Sequence, residues 1–178
     1  MLRARMAEDT VERFERQVLP YLDDAYTLAR YLLHDEHDAQ DAVQDAALKA
    51  FRHFESFRQG DGRAWLLTIV RNSCYDWHKS HRMDRATVSL GDDAEAVADP
   101  RYAEDPAVQM SDRERVRAAV DALPAELREI VVLRELNDLS YREIAAVVGV
   151  PIGTVMSRLS RGRERLAAAL GDDSRRAG

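Results

Sequence analysis

Apolar residues recur at helical spacing along most of the chain, and no stretch alternates between apolar and polar residues as a half-buried strand does. The first clear helix begins at Pro20, and the next begins after Asp35, a candidate N-cap. A third helix is predicted from about Arg63 to Met83, after a glycine-containing break at 59–62. The inward side of the second helix is predicted to carry Ala39, Val43, Ala46, Ala47, Ala50, Phe51 and Phe54. The pattern therefore indicates an all-α protein.

The helical periodicity is lost between positions 86 and 110, where acidic residues and two prolines stand among few apolar ones. Such a composition cannot bury enough apolar surface to fold, and it is typical of a mobile linker. We therefore predict two small all-helical domains at 1–86 and 110–170. A flexible acidic linker at 87–109 joins them, and a polar, disordered tail follows at 171–178.

The C-terminal domain is predicted to contain a helix-turn-helix at 139–166. Ser140 and Glu143 have the spacing of a capping box, so a helix should begin directly after Ser140. Gly149 stands where the chain needs a left-handed turn, and Pro151 opens the following helix. Two further helices precede the motif, with apolar sets Val116, Ala119, Val120 and Leu123, and then Leu127, Ile130, Val131 and Leu133. A helix-turn-helix lays its second helix in the major groove of DNA.

The second helix of this motif has one apolar and one polar face. Val155, Leu159 and Leu166 can pack against the first helix. The opposite face carries hydroxyls and guanidiniums, which suit base edges and phosphates: Ser157, Arg158, Ser160, Arg161, Arg163 and Arg165. A surface helix pair with solvated arginines is the alternative. The capping box, the small Ala145, the turn glycine and the inward valine all stand at the required offsets, which favours DNA binding.

Gly162 lies in the interior of the same helix, where glycine costs about 1 kcal/mol relative to alanine. A glycine at such a position either allows another backbone to approach closely or is merely tolerated. We favour the second interpretation.

Composition and charge narrow the class of protein. The chain has 178 residues, 46% of them hydrophobic, which suffices for the core of one domain or of two small ones. No apolar run long enough to span a membrane and no signal-peptide pattern is present, so we expect a cytoplasmic protein without membrane insertion. The single cysteine excludes an internal disulfide. A net charge of −6 and a pI near 5.4 argue against a non-specific DNA binder, which is normally basic.

The charge is segregated along the chain. Positions 35–45 hold five acidic residues and neither lysine nor arginine, whereas positions 63–85 hold five basic residues against two acidic ones. An acidic surface and a basic surface suggest two different partners.

Metal binding and catalysis are the rival interpretations of the third helix. Cys74, His78 and His81 lie on one helical face and could hold zinc, but no fourth ligand is apparent. A nucleophilic triad of Cys74, Asp76 and His78 is disfavoured, because Asp76 points to another side of the helix. We therefore expect no metal, no cofactor and no enzymatic activity.

Three segments resemble the conserved parts of one family: DAQDAVQDAALKAFRHF, AWLLTIVRNSCYDWHKSHR and LPAELREIVVLRELNDLSYREIAAVVGVPIGTVMSRLSRGRERL. In this order and at this separation, they are similar to the small extracytoplasmic-function sigma factors of bacterial RNA polymerase. The resemblance covers nearly the whole chain outside the linker and the tails. It implies a transcription initiation factor that recognises the minus-35 and minus-10 elements of promoter DNA. It further implies control by an anti-sigma factor, with the chain monomeric when free or in a heterodimer with that inhibitor.

The resemblance also implies roles for residues at matching positions. The clamp helices of the largest polymerase subunit would contact Asp38, Asp41, Gln44 and Asp45. The loop at 58–64 would receive a base flipped out of the minus-10 element, and that melted strand would contact Arg63, Arg71, Asn72, Tyr75, Asp76, Lys79 and Arg82. Minus-35 DNA would contact Thr154, Met156, Ser157, Arg158, Ser160, Arg161 and Arg163. The polymerase flap is a further implied partner.

For four side chains, the residue type or the position bears on the role that the resemblance implies. Met156 stands where many relatives have arginine or lysine, so an apolar contact, for example to a thymine methyl group, replaces a guanine or phosphate contact. Trp65 and Trp77 fall near the apolar face and are predicted to pack in the core, whereas Tyr75 is the better candidate for stacking on a base.

The alternative function from another class is a stand-alone regulator that binds an operator as a homodimer. Such a dimer needs a self-complementary apolar surface, and the sequence shows no spare apolar stripe. Measuring the mass of the chain in solution, with and without polymerase, distinguishes the two functions.

Overall fold

The computed structural model describes residues 2–57, 60–88 and 111–176, and every regular element in these ranges is helical. The α-helices are α1 (Leu2–Gln17), α2 (Leu22–Leu33), α3 (Glu36–His53), α4 (Gly62–Val88), α5 (Asp112–Asp121), α6 (Ala125–Val131), α7 (Tyr141–Val148) and α8 (Ile152–Arg176). Short 3-10 turns lie at Leu19–Tyr21 and Phe54–Ser56, and a π-helical turn lies at Val132–Leu136. The prediction of an all-α fold is confirmed.

Two helices extend beyond the predicted boundaries. α4 runs to Val88, and the rest of the predicted linker lies outside the described residues. α8 continues through 171–176, where the sequence predicts a disordered tail. The three alanines before Gly171 have the highest helix propensity of any residue type, which explains why the helix does not end at that glycine.

The N-terminal half is built from α2, α3 and α4 around small and branched side chains. Its buried residues include Ala25, Leu28, Ala29, Ala39, Ala46, Ala50, Leu66, Leu67 and Val70. The corner between α2 and α3 begins with His34, whose φ of 61° is left-handed. Asp35 then caps α3, because its side chain accepts hydrogen bonds from the backbone N–H groups of His37 and Asp38 at 2.8 and 3.0 Å. The predicted N-cap is confirmed.

α1 packs on this half through Phe14, whose ring lies edge-on to Phe51 and Phe54 with centroids 5.1 and 5.3 Å apart. Phe54 is buried as predicted. Phe51 is 43% exposed, so its predicted inward position is wrong. Position 51 lies 100° around the helix from Ala50, which places it at the margin of the buried stripe. Trp65 and Trp77 pack against the core, as predicted.

Capping boxes begin two helices of the C-terminal half. The Ser140 N–H donates to the Glu143 carboxylate at 2.6 Å, and the Glu143 N–H donates to the Ser140 hydroxyl at 3.3 Å, as predicted. An equivalent box at Ser111 and Glu114 begins α5 and was not predicted. Gly149 ends α7 with a φ of 75°, which confirms the left-handed turn.

The π-helical turn after α6 was not predicted either. Its last hydrogen bond runs from the Asn137 N–H to the Val132 carbonyl at 3.0 Å, and Asp138 then turns the chain with a φ of 51°. The turn buries Leu133 and directs Asn137 toward the N-terminal half, where its side-chain amide donates to the Asp24 carbonyl at 2.9 Å. The two halves are therefore in direct contact, and their buried apolar residues form one cluster.

Gly162 is buried where α8 crosses α6, so the interpretation that it is merely tolerated is wrong. A Cβ atom at this position would lie 2.6 Å from Val131 Cγ2 and 3.9 Å from Leu127 Cβ. The first distance is too short for two carbon atoms unless one of them moves. This glycine permits close approach, but of another helix rather than of DNA.

We expect Gly162→Ala to lower the free energy of unfolding by about 1 to 2 kcal/mol, because displacement of Val131 outweighs the gain in helix propensity. Gly171→Ala is the matched control, since it lies in the same helix with no atom within 4 Å of the added Cβ. That change should raise the free energy of unfolding by up to about 1 kcal/mol. Urea unfolding followed by circular dichroism measures both. A stabilised Gly162→Ala variant would contradict the tight crossing.

Within the described ranges, no single helix has the length and apolar character needed to cross a membrane. α7 and α8 meet that criterion only as a pair, and they are bent by 102° at the break between them. Their apolar residues Val147, Val155 and Leu159 are buried in the protein core.

Candidate nucleic-acid interface

α7 and α8 form a helix-turn-helix whose two helices meet at 102°, which is within the range for this motif. Val155 and Leu159 of α8 are buried in the same core cluster as Ile144 and Val147 of α7. Because these apolar residues hold one face of α8 against the protein, the opposite face is left to solvent. The structure therefore confirms the predicted helix-turn-helix arrangement of α7 and α8.

The outward sides of α8 carry the residues predicted to contact minus-35 DNA. Met156 is 54% exposed, and Thr154 and Arg158 are half-buried. The exposed members of the set are Ser157, Ser160, Arg161 and Arg163. The structure therefore brings hydroxyl and guanidinium donors together around one large exposed apolar side chain, a combination that suits base edges in a groove.

Three arginines on the outward sides of α8 differ in their hydrogen-bond and ion-pair partners. Arg158 Nη2 lies 2.9 Å from a Glu126 carboxylate oxygen. Arg163 donates from Nε and Nη2 to one oxygen of Glu135 at 2.9 and 2.6 Å. Arg161 makes one long hydrogen bond, 3.4 Å, to a backbone carbonyl, and no carboxylate of the described residues lies within ion-pair distance. Of the three, Arg161 can therefore turn to a ligand without giving up an ion pair. The sequence did not single out Glu126 or Glu135.

A second polar surface lies on α4. An open depression of about 410 Å³ is lined by Arg71, Asn72, Tyr75 and Asp76. The Arg71 guanidinium lies over the Tyr75 ring, 4.7 Å from its centroid, and this ring is 40% exposed. Lys79 is exposed on the same helix, and the side chain of Arg82 lies outside the described residues. Four of the residues predicted for the minus-10 strand therefore share one surface.

Glu129 of α6 lies against this surface and was not predicted as a functional residue. The Tyr75 hydroxyl donates to Glu129 Oε2 at 2.7 Å. Arg71 Nε lies 3.0 Å from the same oxygen, as an ion pair rather than a hydrogen bond, because its N–H does not point at the carboxylate. Burial, and then the charge of Glu129, raise the pKa of Tyr75 to about 12. The phenol is therefore protonated and acts as a donor.

Arg63, another residue predicted for the minus-10 strand, lies at the start of α4 and is also engaged. Its Nε donates to Asp24 Oδ2 at 2.6 Å, and its Nη2 donates to the Asn137 carbonyl. The structure thus places Arg63 next to the C-terminal half. Part of the loop predicted to receive a flipped base, 58–59, lies outside the described residues.

The acidic side of α3 carries the four residues predicted to bind polymerase. Asp41, Gln44 and Asp45 are exposed, and Asp38 is half-buried at the first turn. Asp45 forms an ion pair with Lys49 at 2.7 Å. Leu48, which is not among the predicted polymerase contacts, is 55% exposed and extends the same helical face. The face therefore combines acidic groups with an apolar side chain.

The rival zinc site is not assembled by the side chains that the structure describes. Cys74 is buried, and desolvation raises the pKa of its thiol to about 12. His78 Nε2 lies 2.9 Å from the Leu32 carbonyl, in hydrogen-bond contact. The side chain of His81 lies outside the described residues, and the remaining ones contain no group of three potential ligands placed to hold a metal ion.

Comparison with known families matches both halves of the chain. The family model for sigma-70 region 2 matches residues 18–83, and the model for sigma-70 region 4 matches residues 113–166. The first match contains the α3 and α4 surfaces, and the second contains the helix-turn-helix.

Three relatives with substantial identity are all sigma factors. SigE of Mycolicibacterium smegmatis, an ECF sigma factor, is 34% identical over 158 residues, which are 86% of this chain and 60% of that protein. The sigma-H factor of Pseudomonas aeruginosa is 32% identical, with 96% of each chain covered. SigW of Bacillus subtilis is 30% identical over 160 residues, covering 85% of this chain and 86% of SigW.

Solved structures show the same fold. The sigma factor RpoE of Bartonella quintana, solved with the anti-sigma factor NepR, matches with a TM-score of 0.72 and 30% identity, covering 90% of this chain and 98% of RpoE. CnrH, solved with the cytosolic domain of CnrY, matches with a TM-score of 0.67 and 25% identity over 96% and 95% of the two chains. The two family models, the similar sigma factors and the shared fold all lead to the same conclusion. The chain belongs to the extracytoplasmic-function sigma factors of bacterial RNA polymerase.

Proposed function

We propose that this chain binds core RNA polymerase and directs it to promoters by recognising the minus-35 element with α8 and the melted minus-10 strand with α4. The two domains at 1–86 and 110–170 would contact one element each. Each domain alone would bind DNA weakly. When one polymerase holds both domains, the effective concentration of each at its promoter element is raised. A chain of net charge −6 can then be promoter-specific, because the enzyme supplies much of the attraction to phosphates.

The observation that carries this proposal is the exposed donor face of α8, set at 102° to α7, in a chain whose halves match sigma regions 2 and 4. Run-off transcription with core polymerase, genomic DNA fragments and the purified chain tests it. We expect the chain to bind the polymerase and to produce start sites that the core enzyme alone does not use. A chain that neither binds core polymerase nor redirects initiation would refute the proposal.

The polymerase contact is assigned to the acidic side of α3. Asp41, Gln44, Asp45 and Leu48 follow each other at i, i+3, i+4 and i+7, which is one face of a helix. The Leu48 side chain is 55% exposed on this face, and burying its apolar surface against a partner is favourable because that surface leaves water. We therefore propose Leu48 as a polymerase contact beside the residues predicted from the sequence.

At the minus-35 element, we expect Arg161→Ala to weaken binding of the holoenzyme by about 1 to 3 kcal/mol on its own promoter if Arg161 contacts a base. Arg113→Ala, at an exposed position of α5 outside the helix-turn-helix, is the control. Binding is measured on the mapped promoter and on versions with single minus-35 substitutions. Loss of affinity that is equal on all sequences would reassign Arg161 to a phosphate.

We also propose that a cognate anti-sigma factor controls the chain. The support is that RpoE, which shares its fold, was solved with the anti-sigma factor NepR bound, and CnrH with the cytosolic domain of CnrY bound. Affinity purification of the chain from its native cell should recover one stoichiometric protein partner besides polymerase. Recovery of polymerase subunits alone would count against the proposal.

The stand-alone homodimeric regulator has less support, because the family models match a polymerase subunit over both halves. Mass measurement still discriminates directly. A stable dimer that protects a palindrome without polymerase would favour the regulator.

A further inference from the structure

The first two turns of α8 expose two large apolar side chains on the helix that we propose to read minus-35 DNA. Ile152 is 45% exposed and Met156 is 54% exposed, and neither belongs to the core cluster of the described residues. We infer that this apolar pair reads the C5-methyl groups of thymines in the major groove, so that it distinguishes thymine from pyrimidines without that methyl group. The inference rests on the proposed function of α8 and adds the base chemistry that this helix selects.

The position of the apolar pair suits contact with base edges. Ile152 and Met156 are separated by four residues, so their side chains are neighbours on the helix surface. They are about 6 Å apart along the helix axis, whereas successive base pairs of DNA are about 3.4 Å apart, so the pair can cover the edges of two neighbouring base pairs. The N-terminal residues of the second helix contact base edges in a helix-turn-helix, and α8 begins at Ile152.

The surroundings of the apolar pair offer few hydrogen-bonding side chains. Pro151 and Gly153, on either side of Ile152, are exposed and have no polar side-chain atom. The Ser157 hydroxyl donates within the helix, to the Thr154 carbonyl at 3.1 Å. A Cβ at Gly153 would meet no atom within 4 Å, so the space beside Ile152 is open to a ligand. The ligand group that fits this part of α8 is therefore apolar.

The major groove presents one such group on the edges of unmodified bases. It is the C5-methyl group of thymine, and the other groups that distinguish the base pairs there are hydrogen-bond donors and acceptors. Contact between this methyl group and the apolar pair removes apolar surface of both partners from water, which is favourable. A donor or acceptor of another base would lose water at the same place without gaining a hydrogen bond, which is costly. Selectivity for thymine follows from both effects.

A protein surface is the other ligand that an exposed apolar pair could bind, and the rest of α8 favours DNA. Arg161 lies on the next turn of the helix, and no carboxylate of the described residues lies within ion-pair distance of it. DNA offers methyl groups and phosphates within one groove, so a single ligand can occupy both the apolar pair and this guanidinium. The side chains also divide the work: β-branched Ile152 is stiff, whereas the unbranched thioether of Met156 adapts to the base beside it.

The test changes the methyl group and leaves the hydrogen-bonding groups of the base in place. Holoenzyme is assembled from core polymerase and the full-length chain, and its minus-35 element is obtained by selecting bound duplexes from a pool with a randomised upstream region. Each thymine of the element is then replaced with deoxyuridine. We expect binding to weaken about fourfold per contacted methyl group, the size of burying one methyl-sized group. At the same positions, 5-methylcytosine should bind about fourfold more tightly than cytosine.

A double variant assigns the methyl effect to the two side chains. Ile152→Thr keeps the β-branch and Met156→Gln keeps the length and the helix propensity, and both changes replace apolar atoms with polar ones. We expect the double variant to bind thymine and deoxyuridine promoters equally. Arg161→Ala is the control, because it should weaken binding to both promoters and leave their ratio unchanged. Circular dichroism verifies that each variant is folded.

Several results would overturn the methyl reader. One is a selected minus-35 element without thymine in either strand. Others are equal binding of thymine and deoxyuridine promoters by the wild type, or no gain from 5-methylcytosine over cytosine. A methyl effect that persists in the double variant would overturn it as well, since another side chain would then be the reader. A holoenzyme that selects no sequence at all would refute the proposed function, and the inference would fall with it.

Discussion

Replacing Leu48 with lysine is expected to weaken the affinity for core RNA polymerase by about 100-fold, the size of a strong interface hot spot. Leu48 is 55% exposed, so the free chain gives up little packing when it is replaced. Lysine and leucine have similar helix propensities, and α3 should therefore form equally well. At the interface, the substitution removes an apolar anchor and introduces a charge whose desolvation is costly.

The affinity is measured by equilibrium titration of labelled chain with core enzyme. Val116→Lys is the control, because Val116 is 46% exposed on α5 and is not among the residues assigned to polymerase. Circular dichroism melting curves of both variants should match the wild type. If Leu48→Lys binds core enzyme as tightly as Val116→Lys does, α3 is not the docking helix, and Asp41, Gln44 and Asp45 do not contact polymerase.

Local signals in the sequence predicted the helix-turn-helix well. The Ser140 and Glu143 capping box and the left-handed turn at Gly149 depend on the side chains and backbone of a few neighbouring residues, so their spacing is sufficient evidence. The same holds for Asp35 as the cap of α3. These features position α8, and for that reason the predicted minus-35 residues lie together on exposed sides of one helix.

Features that depend on contacts distant along the chain could not be predicted in this way. A side chain at position 162 would collide with Val131 of another helix, so a glycine is needed there. The residues next to Gly162 in the sequence do not reveal this contact. Phe51 falls at the edge of a buried stripe, where a rotation of a few tens of degrees decides its exposure. The contact of Glu129 with Tyr75 joins residues 54 positions apart.

A signal for Glu129 was nevertheless present. It stands among Leu127, Ile130 and Val131, which are apolar and buried. A carboxylate enclosed by such residues requires a buried partner, and the chain had to supply one. The same argument would have drawn attention to Arg128, which is also buried and reaches the N-terminal half. Charged residues within an apolar run thus indicate a contact between halves that periodicity alone assigns to separate domains.

Gly62 carries the second large expected effect. It begins α4 next to the end of α1, and a Cβ at this position would lie 2.1 Å from the carbonyl oxygen of Gln17. That atom belongs to the backbone, so no side-chain rotation can relieve the clash. We expect Gly62→Ala to lower the free energy of unfolding by about 3 kcal/mol, at the upper end for overpacking, as α1 or the start of α4 is displaced. Gly162→Ala costs less, because its obstacle is a side chain.

Gly153→Ala is the matched control for Gly62→Ala, since both glycines lie in the first turn of a long helix and no atom lies within 4 Å of a Cβ at 153. Urea unfolding should show a loss for Gly62→Ala and little change for Gly153→Ala. Because Gly62 precedes Arg63 directly, the displaced backbone should also reduce initiation at promoters with weak minus-10 elements before it reduces polymerase binding. If the two variants have the same free energy of unfolding, α1 can move away from the added Cβ without loss of stability. The contact with Gln17 would then not position the start of α4.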